Sequence, residues 1–172
     1  MKFSRRNEMK YFDLEIEKKS VQIGIFGSFQ RIEQLKMCKE YLFSKGYSHT
    51  RLSLDLEDKY PQKAGESRDE YNLRISEKLI ETSDIHIIYF FKNCETDKVP
   101  VNESAVQEYR IMSDKSSPDK ILVLIEEETS FSGLTRGLIS RNDGYVTHMN
   151  FKTADETLRP VSNHCLKCIK KN

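Results

Sequence analysis

The stretch Asn-Glu-Ser-Ala-Val-Gln-Glu-Tyr at residues 102–109 contains the carboxylates best placed for chemistry in this sequence. It follows an apolar run at residues 85–91 and opens an amphipathic pattern with helical spacing. In open α/β sheets, ligands bind where the carboxyl ends of strands meet the amino ends of helices. Glu108 is therefore a candidate catalytic carboxylate, while the same pattern also fits a surface glutamate. Asn102 is placed to begin the helix as its N-cap.

A second candidate region is the turn that follows the predicted strand at residues 21–26. Glycine at a turn lets a phosphate or ribose approach the backbone, and the helix that follows offers free N–H groups to an anion. Gly24, Gly27, Ser28 and Phe29 are the candidate ligand contacts there. The alternative is structural, with Gly24 allowing tight packing and Gly27 making the turn. The turn matches neither G-x-G-x-x-G nor a Walker loop.

Two aspartates next to predicted strands are further candidates for ligand binding. Asp55 ends the predicted second strand, where a carboxylate can bind ribose hydroxyls; solvated loop charge is the alternative. Asp84 directly precedes the third strand, where its alternative role is to hydrogen-bond the turn. His86 and Tyr89 of that strand are expected to be core residues.

The composition limits the classes of function that fit. The 172 residues carry 28 Lys and Arg against 27 Asp and Glu, a net charge of +1, which gives no electrostatic case for DNA, RNA or a membrane surface. The longest apolar run is too short to span a bilayer, and no secretory signal is visible, so we expect a cytoplasmic protein. Four cysteines fit free thiols, and the pair Cys165 and Cys168 lacks a second ligand pair for a metal. We expect no metal and no cofactor.

Apolar patterning predicts alternating strands and helices. The predicted strands cover residues 21–26, 47–56, 85–91, 121–125 and 145–149; the helices cover 30–44, 67–81, 102–112 and 153–169, and 130–140 is helical or loop-like. This alternation predicts an α/β single-domain three-layer sandwich with a five-stranded parallel sheet, in a flavodoxin-like or Rossmann-like order. Residues 1–20 are expected to form an N-terminal helical extension, and 21–172 the domain.

Three segments, taken in order, resemble the nucleoside 2-deoxyribosyltransferase family. They are Ile-Gly-Ile-Phe-Gly-Ser-Phe at 23–29, Ser-Asp-Ile-His-Ile-Ile-Tyr at 83–89 and Asn-Glu-Ser-Ala-Val-Gln-Glu at 102–108. The resemblance spans roughly residues 21–126. Toll/interleukin-receptor-like NAD-cleaving domains have a related architecture and also place a glutamate on a helix by the sheet edge.

The resemblance implies roles for three residues of the helix opening. Glu108 would attack the anomeric carbon of a nucleoside and form a glycosyl-enzyme ester. Asn102 stands where the family has Asp and would hydrogen-bond sugar hydroxyls, and Ser104 replaces the family's Gly beside the ligand.

The implied function is binding of a nucleoside or nucleotide, with cleavage or transfer at its N-glycosidic bond. The alternative is a non-catalytic nucleotide-sensing or protein-interaction module of the same fold. The family usually completes its sites across subunits, so the resemblance also implies a possible homodimer.

Overall fold

One parallel sheet organises the chain. The computed structural model describes residues 5–95, 100–141, 145–149 and 154–170, and within them five strands form a sheet in the order β2-β1-β3-β4-β5. The strands are β1 (Ile23–Phe26), β2 (Thr50–Arg51), β3 (Ile85–Phe90), β4 (Ile121–Glu126) and β5 (Val146–Met149). All neighbouring strands pair in parallel. This confirms the predicted α/β sandwich and gives it the flavodoxin-like strand order.

Helices cover both faces of the sheet. They are α1 (Arg5–Ser20), α2 (Ile32–Ser44), α3 (Arg68–Glu81), α4 (Glu103–Lys115), α5 (Gly133–Ser140) and α6 (Ala154–Lys170). Helices α2 and α6 bury apolar side chains against one face, and α3, α4 and α5 against the other. Residues 1–4 of the expected N-terminal extension lie outside the described residues.

The central strand β3 explains why both faces are covered. All six of its residues are buried, so its side chains need apolar partners above and below the sheet. Ile87 belongs to the cluster with α2 and α6, and Ile88 to the cluster with α3 and α4. Burying one such side chain contributes about 1.5–3 kcal/mol.

The second strand is much shorter than the sequence predicts. Instead of residues 47–56, β2 covers only Thr50–Arg51. The Asp55 carboxylate accepts the backbone N–H of Leu52 at 2.6 Å and turns the chain into a 3-10 helix over Ser53–Leu56. Side-chain capping of this kind competes with a strand ladder, so the prediction of a long second strand is wrong.

Candidate functional site

The candidate site lies at the carboxyl edge of the sheet, where β1 and β3 are neighbours. The strand order reverses between these two strands, so the chain leaves β1 toward one face and β3 toward the other. Open α/β sheets commonly bind ligands at such a reversal. The sequences that follow the two strands are therefore the first place to look for chemistry.

Glu108 reaches this edge from α4. Ala105, Tyr109 and Met112 form the buried stripe of the helix, and Glu108 lies beside that stripe. The Ser76 hydroxyl of α3 donates a hydrogen bond to Glu108 Oε1 at 2.7 Å. The other oxygen, Oε2, is buried and has no hydrogen-bond partner of ordinary geometry within the described part of the chain.

The surroundings of Glu108 change its ionisation. Burial raises the pKa of its carboxyl from 4.5 to about 7, while the Ser76 hydroxyl and the backbone N–H of Gly27 act in the opposite direction. A carboxyl with this pKa exists in both protonation states near neutral pH. Perturbed carboxyls of this kind are enriched at active sites, although burial alone also produces them.

Gly27 brings the first loop close to the same carboxylate. Its φ of +150° is a conformation that residues with a Cβ rarely adopt, and a Cβ would lie 3.1 Å from Leu35 Cδ2 and 3.2 Å from the Tyr89 carbonyl oxygen. Next to it, Ser28 is buried and accepts the N–H of Gln30, which caps a 3-10 helix. The loop is thus held close to β3 at the end of β1.

Phe29 and Ser104 are exposed at this edge. Phe29 follows Ser28 directly, and 48% of its surface is open to solvent. Ser104 is the second residue of α4 and is exposed as well. An exposed aromatic ring is a surface on which a base can stack.

Asn102 occupies the N-cap position of α4, yet its side chain does not cap the helix. Its Oδ1 accepts the Phe91 N–H at 2.7 Å, and its Nδ2 donates to the Phe91 carbonyl at 2.6 Å. The amide therefore pairs with the backbone just after β3 and fixes where α4 begins.

Asp55 is already engaged by protein groups. Besides the Leu52 N–H, its carboxylate forms an ion pair with Lys39 at 2.6 Å. It lies after β2, next to β1 at the carboxyl edge. A ribose hydroxyl at Asp55 would share the carboxylate with these two partners.

Gly24 and Asp84 lie at the opposite edge of the sheet. The Asp84 carboxylate accepts the backbone N–H of Gln22 at 2.8 Å, which joins the amino ends of β1 and β3. A Cβ at Gly24 would lie 2.7 Å from Ser83 Oγ, so the glycine serves close packing there. Gly24 and Gly27 are three steps apart along the extended chain, or about 10 Å. The structure does not bring Gly24 and Asp84 to the carboxylate of Glu108.

Ser76 is the contact that the sequence analysis missed. The partner residues are 32 positions apart, so no local motif joins them. One weak signal exists: Leu79 and Ile80, three and four residues further along α3, are buried, so Ser76 borders the buried face. A small polar residue in that position needs a partner, but its spacing does not identify Glu108.

Other candidate groups lie elsewhere. Cys38, Cys165 and Cys168 are buried thiols, and Cys94 is exposed. No group of three or more His, Cys, Asp or Glu that could hold a metal occurs within the described ranges. His86 is a core residue whose Nε2 pairs with the Ser116 hydroxyl at 2.8 Å.

A groove between α4 and α5 is separate from the site. Its volume is about 630 Å³, and its lining includes Gln107, Arg110, Leu134 and Arg141 but not Glu108. It follows the outer side of α4, whereas the carboxylate of Glu108 lies on the α3 side of that helix. None of the described helices has the length and apolar character that crossing a bilayer requires.

Comparison with solved structures finds a similar fold in an N-glycosidase. The structure of the CMP N-glycosidase BcmB from Clostridium botulinum aligns with a TM-score of 0.51 and 17% sequence identity, covering 82% of this chain and 98% of that chain. At this identity the similarity concerns the fold. No protein-family model matches the sequence, and comparison with curated protein sequences gives no match.

Proposed function

We propose that this protein binds a nucleoside or nucleotide at the carboxyl edge of its sheet and cleaves the N-glycosidic bond, with Glu108 as nucleophile. The observation that carries the proposal is the buried Glu108 carboxylate, whose Oε1 is held by Ser76 and whose Oε2 has no such partner. The fold similarity to a CMP N-glycosidase also supports cleavage of an N-glycosidic bond.

The reaction follows from the chemistry of a carboxylate facing an anomeric carbon. Oε2 attacks that carbon as the carbon–nitrogen bond breaks; the bonding pair leaves with the base, which takes a proton from solvent. A water then attacks the same carbon, the ester bond to Glu108 breaks, and its electron pair returns to the carboxylate. The water gives up its proton to solvent. If a second base attacks in place of water, the reaction is a transfer.

The burial of Glu108 suits this reaction because the transition state resembles an oxocarbenium ion. A carboxylate shielded from water interacts more strongly with the positive charge that develops on the sugar. Since the pKa of Glu108 is about 7 in the free protein, part of the population is already ionised near neutral pH, and only that part can attack.

A non-catalytic nucleotide-sensing module is the second candidate. It is favoured by Asn102, whose amide oxygen and nitrogen both pair with the Phe91 backbone and are thereby drawn away from a sugar. Such a module would be stabilised by its nucleotide without releasing a base. A homodimer that completes the site, and the absence of a nucleic-acid partner, stay predictions.

Turnover of a substrate panel tests the catalytic role of Glu108. We expect the wild-type protein, incubated with nucleosides, CMP and other nucleotides, and NAD, to release a free base detectable by mass spectrometry. Glu108→Gln should reduce release by at least about 10³-fold, because an amide cannot act as the nucleophile. The matched control is Glu103→Gln, an exposed glutamate on the same helix, which should retain release.

Two outcomes would contradict the catalytic role. Base release that is equal in the wild type and in Glu108→Gln removes Glu108 as the nucleophile. No release from any substrate, combined with a rise in melting temperature upon adding one of them, favours the nucleotide-sensing module.

A further inference from the structure

The Ser76 hydroxyl behaves differently from several other hydroxyls within helices and near helix ends. In an α-helix, a serine or threonine commonly donates to a carbonyl three or four residues earlier. Several hydroxyls in this chain do so: Ser20, Ser44, Thr82, Ser83, Ser113 and Ser140. Ser76 instead donates across the helix pair to Glu108. Bonds from a hydroxyl to a carbonyl three or four residues earlier are common in this protein, so the bond from Ser76 to a residue on another helix is a distinct feature.

The helix that carries Ser76 is firmly placed. The side chain of Ser67 accepts the Glu70 N–H, and Glu70 accepts the Ser67 N–H, which forms a capping box at the start of α3. Ile75 and Leu79, on either side of Ser76 in the helix, are buried in the core. The position of the hydroxyl is thus set by the packing of α3.

The two oxygens of Glu108 are therefore not equivalent. Oε1 accepts a hydrogen bond at 2.7 Å, a distance typical of a hydroxyl on a carboxylate, and that bond fixes the plane of the group. Oε2 accepts no hydrogen bond of ordinary geometry from the described residues, although the backbone N–H of Gly27 is close enough to the carboxylate to favour its charged form. A nucleophile gains from being held in one orientation, because a misplaced attacking atom loses rate steeply.

We propose that Ser76 is a positioning residue for the reaction proposed above: it holds Oε1 of Glu108 so that Oε2 faces the anomeric carbon. The inference rests on the proposed function for its catalytic consequence. The contact with the carboxylate can be tested without turnover, which separates the two.

The first measurement is the titration of Glu108 by NMR in protein labelled with carboxyl-¹³C glutamate. Glu108→Gln identifies the resonance by removing it. Because the Ser76 hydrogen bond favours the carboxylate, Ser76→Ala should raise the pKa of Glu108 by about one unit. Ser113→Ala, which removes a serine hydroxyl that bonds within α4, should leave that titration unchanged.

The second measurement is the pH profile of base release by the same variants. Ser76→Ala should reduce kcat by about tenfold with little change in KM. The acidic limb of its kcat/KM profile, which reports the free protein, should move to higher pH by the same amount as the NMR titration. Ser76→Thr, which keeps a hydroxyl, should restore both, and Ser113→Ala should match the wild type.

The outcomes separate the two proposals. If Ser76→Ala is folded and leaves both the Glu108 titration and kcat unchanged, Ser76 does not position the carboxylate. If the titration moves while no protein releases a base, the contact is real but the glycosidic function fails and the positioning proposal fails with it. A Ser76→Thr variant as slow as Ser76→Ala, with a normal Glu108 titration, would also overturn the proposal.

Discussion

The Glu108 carboxyl is subject to opposing influences on its ionisation. Burial favours the neutral form and raises its pKa to about 7, whereas Ser76 and the Gly27 N–H favour the charged form. The unfolded chain ionises this group near pH 4.5, so the folded state holds a proton that the unfolded state has already lost. The stability contributed by this raised pKa is fully present below pH 4.5 and is lost as the pH rises through 7. At alkaline pH, the protein thus carries a buried charge.

Replacing that charge should stabilise the protein. We expect Glu108→Gln to raise the free energy of unfolding at pH 8, by up to about 3 kcal/mol, and to change it little at pH 4. The amide keeps an acceptor for the Ser76 hydroxyl and carries no charge. Urea denaturation at both pH values measures the effect.

The exposed Glu103 of the same helix provides the control for this prediction. Glu103→Gln should give nearly the same change at pH 8 and at pH 4. Equal changes at the two pH values in Glu108→Gln as well would mean that Glu108 is not a buried carboxyl with a raised pKa. A variant that gains stability and loses turnover together is the behaviour expected of a strained active-site group.

At the scale of elements, the amide of Asn102 joins the start of α4 to the end of β3. It donates to and accepts from the backbone of one residue, Phe91, as a neighbouring strand would. This contact positions the helix on which Glu108 lies. The Val101 N–H adds a second tie across the same loop by donating to Asn93 Oδ1.

Removing the amide should loosen this junction. We expect Asn102→Ala to lower the free energy of unfolding by about 1–3 kcal/mol, because two backbone groups of Phe91 lose their partner. Hydrogen exchange of the Phe91 amide should also become faster. Asn102→Asp should keep the slow exchange of that amide, since a carboxylate still accepts its N–H, while losing the bond to the carbonyl. Unchanged exchange in Asn102→Ala would show that the amide does not hold the junction.

The elements themselves were largely predictable from local patterns. The continuous apolar runs of β3 and β4 identify buried central strands, and Ser67 with Glu70 marks the start of α3. The error in β2 arose because its alternating leucines continue into a 3-10 turn that Asp55 stabilises through its side chain. Periodicity cannot detect a side chain that competes with the ladder.

The candidate site was only partly predictable for a related reason. The edge and Glu108 were predicted because strand ends and helix starts follow from the sequence, and the resemblance gave Glu108 the role of nucleophile. Ser76 was missed because its contact joins two helices that only the fold brings together. Gly24 and Asp84 are near the right strands in sequence, but strand direction places them at the amino edge.

At the scale of the whole molecule, two buried groups make opposite contributions to the pH dependence of stability. Burial lowers the pKa of His86 from 6.5 to about 4, and the nearby Asp84 charge raises it only in part. Its stabilising contribution is present above pH 6.5 and is lost as the pH falls toward 4, by about 3 kcal/mol. The contribution of Glu108 falls as the pH rises from 4.5 to 7. Between pH 4.5 and 6.5, the two contributions have nearly equal and opposite slopes.

Single variants should reveal how each group changes the free energy of unfolding with pH. Relative to the wild type, His86→Gln should lose stability with rising pH between 4.5 and 6.5, and Glu108→Gln should gain it over the same range. In the double variant, these two changes should cancel, so its stability relative to the wild type should vary little between pH 4.5 and 6.5. The free energy of unfolding measured in urea at several pH values is the test, with the exposed His49→Gln as a control. Parallel pH curves for all of these proteins would contradict the assignment of the two groups.

The Glu108 carboxylate and the two groups that act on it come from three distant parts of the chain. Gly27 follows β1, Ser76 lies on α3, and Glu108 lies on α4, 32 residues after Ser76. No short fragment contains all three, so the site forms only after successive strand–helix units have docked. Activity would consequently be among the last properties to return during refolding. Two halves of the chain divided between α3 and β3 should be inactive when separate and regain the site only by reassociating.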